Sequence, residues 1–377
     1  MTVTDASTTP NDAVAADTPE QAAFRAEARA FLEAHAQPKR EVSPWHVNFH
    51  TDPEAARAEF EAGRRWQKTM FDHGFAGLTY PKEYGGRGGQ AWHESIFREE
   101  LAKFDASSGF ISATIAMLGP TLAKHGTEEQ KRELLPRLLS GEDAYCQLFS
   151  EPGAGSDLAG LACRAVRDGD EFVVTGQKVW NSAAQWCTRG MLLVRTDPDA
   201  PKHKGITFLL VDMDSPGIEV RPLVQPTGAS HFNEVFLEDV RVPVANVLGE
   251  INEGWAPART VLSNESAFIG GGQGGSHERL VMLAERHGRT GDPLVRQELA
   301  RNYTRERLLS IMGDRILAAV RERKVPPMDP SILKLYVAAN KVVSGNLAMA
   351  IAGPAGLVGL DETSPWIQAE LLGRYGI

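Results

Sequence analysis

Three short stretches bring together residue types that could do chemistry: QLFSEPGAGSDLAG (147–160), GQKVWNSAAQW (176–186) and VLSNESAFIGGGQGG (261–275). In the first, Gly153 and Gly155 free the backbone to approach a ligand, and Ser156 adds a hydroxyl and an N–H. Successive N–H groups in such a loop can form a nest for pyrophosphate oxygens. The stretch is neither a GxGxxG opening a helix nor a Walker-type P-loop, so an ordinary strand-to-strand loop fits it as well as a phosphate cradle does. In the second, Trp180 is followed two residues later by Ser182 on a predicted strand, where alternation presents both to one side. A core indole beside a satisfied serine fits the same pattern. In the third, Glu265 lies among small and apolar residues at the start of a predicted helix. A carboxylate there is costly unless exposed, paired or poised as a general base. A helix-start Glu held by the macrodipole is the equal alternative.

Other constellations are absent from the sequence. The ten histidines show no HxH, HExxH or Cys/His spacing, so no metal site is expected. No GxSxG elbow accompanies the serines. Cys146, Cys163 and Cys187 are too few and too scattered for a disulfide framework, and read as reduced thiols of a cytoplasmic protein. RERK (321–324) reads as a solvated helix end and the methionines as core filler.

The elements that must position these stretches fall into three blocks. TPEQAAFRAEARAFLEAHA opens with Thr18 as cap, Pro19 at the first helical position and Gln21 closing a capping box. Phe24, Ala28, Phe31, Leu32 and His35 then share a helical face. A second box, Thr127 with Gln130, opens GTEEQKRELLPRLLSGE, whose stripe is Leu134, Leu135, Leu138 and Leu139. Residues 18–143 therefore read as an N-terminal helical domain, preceded by a disordered tail of small, polar and acidic residues over 1–17. From residue 144 the texture changes to short β-branched runs: EFVVTGQKVW, GMLLVRT, GITFLLVDM, IEVRPLV and NEVFLEDVRV. They predict an all-β unit, barrel or sandwich, over 144–248. Helical periodicity returns over 249–377, so the fold class is α+β, with two helical regions enclosing a small β-domain.

Size and charge bound the function. A chain of 377 residues with 42% apolar and 24% charged residues is an ordinary globular composition able to bury several cores. Its formal charge of −9 steers it away from nucleic acid and anionic membrane, while leaving room for a local basic pocket. No uninterrupted apolar run reaches the ~18–20 residues of a bilayer span, so no integral membrane association is expected.

Taken in order, YPKEYGGRGG, HGTEEQKRELLPRLLSGE, QLFSEPGAGSD, GQKVWNSAA, FLEDVRVPVANVLGEINEGW and LLGRYGI resemble the acyl-CoA dehydrogenase family, particularly its actinobacterial type. The resemblance runs from about residue 18 to the end. It implies an N-terminal helical domain, a middle β-barrel and a C-terminal four-helix bundle, with FAD held between barrel and bundle. Gln147, Phe149 and Ser150 fall where the family contacts the flavin ring, and Gly155 and Ser156 fall near the FAD pyrophosphate or the acyl-CoA. Trp180 and Ser182 match the ring-stacking tryptophan and the hydroxyl beside flavin N5. Arg286 matches a position that reaches the FAD of a neighbouring subunit, and the Gly353–Gly356 turn matches the loop meeting the adenosine half.

The activity implied is α,β-dehydrogenation of an acyl-CoA thioester to the trans-2-enoyl-CoA, as in fatty acid β-oxidation. A Glu takes the α-proton while the β-hydrogen leaves as hydride to flavin N5. Of the two base positions used in the family, Glu265 matches the one on the first helix of the C-terminal bundle, and is the expected catalytic base. Ser266 stands where the family commonly has Arg. The chain stops at LLGRYGI where relatives continue with a Gly-Gly-Thr-x-Glu-Ile-Gln-type segment, so the bundle reads as truncated. The implied partners are an electron-transfer flavoprotein and further copies of the chain in a homotetramer or homodimer. An acyl-CoA oxidase or flavin monooxygenase of the same fold, and a non-catalytic subunit of a mixed oligomer, are the alternatives.

Overall fold

The computed structural model describes residues 17–47, 49–270, 276–321, 324, 329, 331–359 and 361–373. The first block holds α1 (Pro19–His35), β1 (Gln37–Pro38), α2 (Pro53–Asp72), α3 (Ala91–Leu101), β2 (Phe104–Asp105), α4 (Phe110–His125) and α5 (Glu128–Ser140). Both predicted capping boxes form. The Thr18 hydroxyl accepts from Gln21 N at 3.3 Å while the Gln21 side chain accepts from Thr18 N at 2.9 Å. Thr127 and Gln130 repeat the exchange at 3.1 and 3.2 Å, each cap being worth about 1 kcal/mol. Phe24, Ala28, Phe31 and Leu32 are buried as the period predicts, whereas His35 stays exposed and lays its ring against Phe31 and His73.

The middle block is one seven-stranded sheet curled into a half-barrel. Its strands are β3 (Tyr145–Leu148), β4 (Arg164–Asp168), β5 (Glu171–Val179), β6 (Arg189–Arg195), β7 (Ile206–Asp212), β8 (Ile218–Leu223) and β9 (Phe232–Pro243). The order is β3-β6-β4-β5-β9-β8, with β7 along the other edge of β6. The runs MLLV and ITFLLV lack polar alternation because both faces of β6 and β7 are buried. Leu192, Val194, Leu209 and Val211 enter one core, which Phe60 and Ile111 of the first block join. Met191, Leu193, Phe208 and Leu210 enter the other, shared with Leu118, Leu122, Leu135 and Leu138 of α4 and α5. β3 and β4 carried no clear strand signature, being only four and five residues long.

The last block holds α6 (Trp255–Gly270), α7 (His277–Arg286), α8 (Pro293–Arg321), α9 (Ser331–Ala352), α10 (Pro354–Val358) and α11 (Ser364–Gly373). α9 is long and apolar enough to cross a membrane by length and composition. It nevertheless buries Leu347, Ala348, Ile351 and Ala352 against Leu280, Leu283, Trp366 and Ile367, and is a core helix of the bundle. Two devices set the start of α6. Gly254 lies so close to β7 that a Cβ there would meet Phe208 N at 2.5 Å, and its N–H donates to Ile206 O at 2.7 Å. Ala258 and Val261 then bury in the second sheet core, locking the helix that carries Glu265 between β7 and α4. The glycine run 270–275 lies, beyond Gly270, outside the described residues, as does the end of LLGRYGI.

Candidate active site

Gln147 is the third residue of β3 and faces the side opposite its buried neighbours Cys146 and Leu148. That phase directs it at α6, where its Nε2 donates to Glu265 Oε2 at 3.4 Å. The bond is long, and no cation pairs with Glu265 among the described residues. Ser266 turns its hydroxyl onto its own helix at Leu262 O (2.9 Å), so it does not stand in for a cationic neighbour of the carboxylate. Asn264 fixes the other side of this turn by donating to Met117 O of α4 at 3.3 Å.

Beside Gln147 runs the loop that follows β3. Phe149 turns inward, 2% exposed and edge-on to Phe208, so its side chain does not face a ligand. Ser150 accepts from Val179 N at 2.9 Å, which ties the loop to the end of β5. Gly155 and Ser156 lie exposed at its tip. Neither Gly153 nor Gly155 has a left-handed φ, and a Cβ built on either meets nothing within 4 Å. The chain's own conformation and packing therefore do not require glycine at these positions. A cradle that a Cβ would obstruct only for an added molecule fits a large cofactor or substrate lying against it.

The second stretch departs from the alternation expected of it. β5 ends at Val179, and Trp180 (φ 63°) and Ala183 (φ 55°) both adopt the left-handed conformation. A bulky residue held there costs about 1–2 kcal/mol, and Trp180 is also 60% exposed, braced only edge-on by Phe232. It is not a core tryptophan. Ser182 is half-buried one turn further on. Between them, Asn181 donates from Nδ2 to Gln147 O at 2.7 Å, so the loop after β3 and the turn after β5 form one surface.

Three residues that sequence reasoning overlooked build this surface. Glu151 (9% exposed) and Lys178 (fully buried) pair at 2.8 Å, and Asn233, also fully buried, donates to Asn181 O at 2.8 Å. Lys178 had a legible signal: it shares its strand phase with Phe172 and Val174, both buried. Glu151 had none.

The other predicted positions gather elsewhere. Arg286 ends α7 and donates to Glu362 at 2.8 Å, with Asp361 at 3.6 Å. Gly353 has φ 59°, breaking the chain between α9 and α10. Gly356 is buried, where a Cβ would press on Met349, Ala352 and Ile367 at 3.1–3.3 Å. Within this chain these three belong to the last block, Gly356 buried, Gly353 half-buried and Arg286 exposed, and not to the Gln147–Glu265 surface.

On the outer face of the α4–α6 junction lies a groove of about 490 Å³, lined by Lys124, His125, Ala256, Arg259, Thr260, Ser263 and Asn264. His125 Nε2 meets Thr260 Oγ1 at 2.9 Å, and burial, then the neighbouring Lys124, lowers its pKa so that the ring is neutral at neutral pH. Lys124 and Arg259 form no ion pair among the described residues and leave the groove positive.

Family models for acyl-CoA dehydrogenases match all three blocks: the N-terminal domain over residues 18–142, the middle domain over 146–240 and the C-terminal domain over 252–372. The chain belongs to the acyl-CoA dehydrogenase family, a class of oxidoreductases. It is 39% identical over 324 residues to the acyl-CoA dehydrogenase IpdE1 of Mycobacterium tuberculosis, covering 84% of this chain and 83% of that one. Among solved structures, the Tcur3481-Tcur3483 steroid ACAD superposes with a TM-score of 0.70 at 31% identity, covering 96% of this chain and 92% of that one. The ChsE4-ChsE5 complex of Mycobacterium tuberculosis gives 0.67 at 29% identity, covering 95% and 92%.

Proposed function

We propose that the protein binds FAD and dehydrogenates an acyl-CoA thioester across Cα–Cβ, with Glu265 as the base that removes the α-proton. The observation that carries this reading is the placement of Glu265 against Gln147, beside a glycine loop whose open side the chain itself does not fill. Gln147, the backbone of Phe149, Ser150, Trp180 and Ser182 would face the flavin ring, with Gly155 and Ser156 toward phosphate. When bound, FAD supplies the acceptor for the β-hydride. The protein's part is to hold the α-carbon against the carboxylate, exclude water and orient the thioester. The positive groove at Lys124 and Arg259 suits the phosphorylated end of the CoA.

The α8–α11 surface exposes Leu294, Tyr303, Leu335, Leu357 and Val358, a concentration of apolar side chains not found on the other blocks among the described residues. We read it as covered by a second acyl-CoA dehydrogenase chain. Two of the similar solved structures are of paired chains, which favours a non-identical partner over the homotetramer or homodimer that the sequence suggests. In such an assembly Arg286, Gly353 and Gly356 could meet a cofactor across the subunit boundary, which requires Arg286 to leave Glu362. An electron-transfer flavoprotein is the acceptor by family resemblance.

The test is the visible spectrum of the purified protein, alone and with candidate partner chains, followed by anaerobic addition of an acyl-CoA panel. The panel includes steroid-derived thioesters because a similar structure is that of a steroid ACAD. Flavin absorbance that bleaches with one class supports the reading, and protein that takes up no FAD in any combination contradicts it.

A further inference from the structure

We propose that Lys178 and Glu151 are positioning residues for the cofactor site: their buried ion pair sets the spacing between the loop 149–156 and the turn 180–182. The inference rests on the FAD reading above. Lys178 Nζ donates to Glu151 Oε1 at 2.8 Å and to Phe149 O at 3.1 Å. Glu151 accepts three bonds in all, since Cys163 N also donates to Oε1 at 2.9 Å and Ala162 N to Oε2 at 2.7 Å. Its backbone exchanges two bonds with Ala154, both at 3.0 Å. One carboxylate thus closes the base of a lasso whose tip carries Gly153, Gly155 and Ser156.

The lysine works on the other segment. It lies two residues before Trp180, and the intervening Val179 N donates to Ser150 O at 2.9 Å. A displacement of Nζ would therefore move the carbonyl of Phe149, the Ser150 link and the backbone that holds Trp180 at φ 63°. Stability alone does not explain the pair. A buried ion pair is on average no more stabilising than well-packed apolar groups of the same volume, because desolvation cancels most of the attraction. What it supplies is direction: a fixed donor and a fixed acceptor that permit one relative placement of two loops. Neither group reaches the open surface, so both act through Phe149, Ser150 and Trp180 and not on a ligand directly.

The experiment uses the full chain loaded with FAD, comparing wild type with the Lys178→Met/Glu151→Gln double variant. Removing both charges avoids stranding one of them. Flavin release on dilution is followed by its fluorescence, alongside the vibronic shape of the visible band and the thermal midpoint. The expected result is a folded variant melting within about 5 °C of wild type that releases FAD at least tenfold faster, with a blurred visible band. Release and spectrum equal to wild type overturn the proposal. A variant that does not fold overturns it too when Lys178→Arg, which keeps both charges and changes only the spacing, also fails to fold, because the pair would then hold the domain and not the site. If that single variant folds, its FAD release decides by the same criterion. Wild-type protein that takes up no FAD fails before the variants are compared, and sinks the FAD reading instead.

Discussion

Gln147 and Glu265 meet at 3.4 Å across the junction of β3 and α6, two elements separated by more than a hundred residues of chain. An amide donor on a carboxylate holds it in one rotamer without neutralising it, which is the condition under which it can take a proton from a substrate carbon. Gln147→Leu removes the donor while keeping the volume. We expect kcat to fall about tenfold, the loss of one aimed hydrogen bond, with KM for the acyl-CoA changed less than threefold. Steady-state kinetics with a good substrate measure this, and an unchanged kcat would show that the contact is incidental.

Gly155→Ala separates the chain's needs from the ligand's. The added methyl meets nothing within 4 Å and the backbone conformation admits alanine. The melting temperature of the ligand-free protein should therefore move by no more than about 2 °C, and upward if at all. Binding of FAD or acyl-CoA, measured by titration, should weaken at least fivefold. Unaltered binding would mean that no ligand lies against this loop.

Trp180→Gly tests the strained tryptophan. Releasing the left-handed φ returns about 1 kcal/mol, and losing the edge-on contact with Phe232 costs about the same. The two cancel, so the melting temperature should stay within about 3 °C while flavin-dependent turnover falls at least tenfold. A large drop in stability with turnover intact would return Trp180 to a structural role.

The acid limit of the fold should depend on Glu100. Its carboxylate is fully buried, and burial alone would raise its pKa; hydrogen bonds from Arg29, Lys103 and Arg25 outweigh this and hold it down to about 2. A carboxylate with a lowered folded-state pKa contributes stability that is complete above the ordinary carboxylate range. That contribution is lost as pH falls from about 4.5 toward 2. Glu100→Gln should cost about 2 kcal/mol at pH 7, read by urea denaturation, and the difference from wild type should shrink below pH 4. A difference that stays constant with pH would contradict the charge-based origin.

Much of the fold was legible because it rests on local signals. The two capping boxes, the leucine stripe of α5 and the five longer β-runs each carry their pattern within a dozen residues. What escaped depends on partners distant in sequence. Nothing near Trp180 announces a positive φ, because the turn is imposed by Asn181 reaching Gln147 O and by Asn233 reaching Asn181 O. Phe149 reads as a ligand-facing aromatic, yet its side chain packs on Phe208 and its carbonyl accepts from the buried Lys178. Arg286 shows its positive charge in the sequence but not its pairing with Glu362, which meets it only when α7 and the connection before α11 are brought together. Family resemblance gives Gln147 and Glu265 separate roles without announcing their contact, and local chemistry alone left Glu265 undecided.

The most direct test is a single anaerobic turnover with FAD-loaded protein and an acyl-CoA that bleaches wild type. Glu265→Gln keeps the shape of the side chain and its contact with Gln147 while removing the base. It should bind FAD and the thioester as wild type does, yet bleach the flavin at least a thousandfold more slowly. Bleaching at a near-wild-type rate would contradict the assignment of Glu265 as the base.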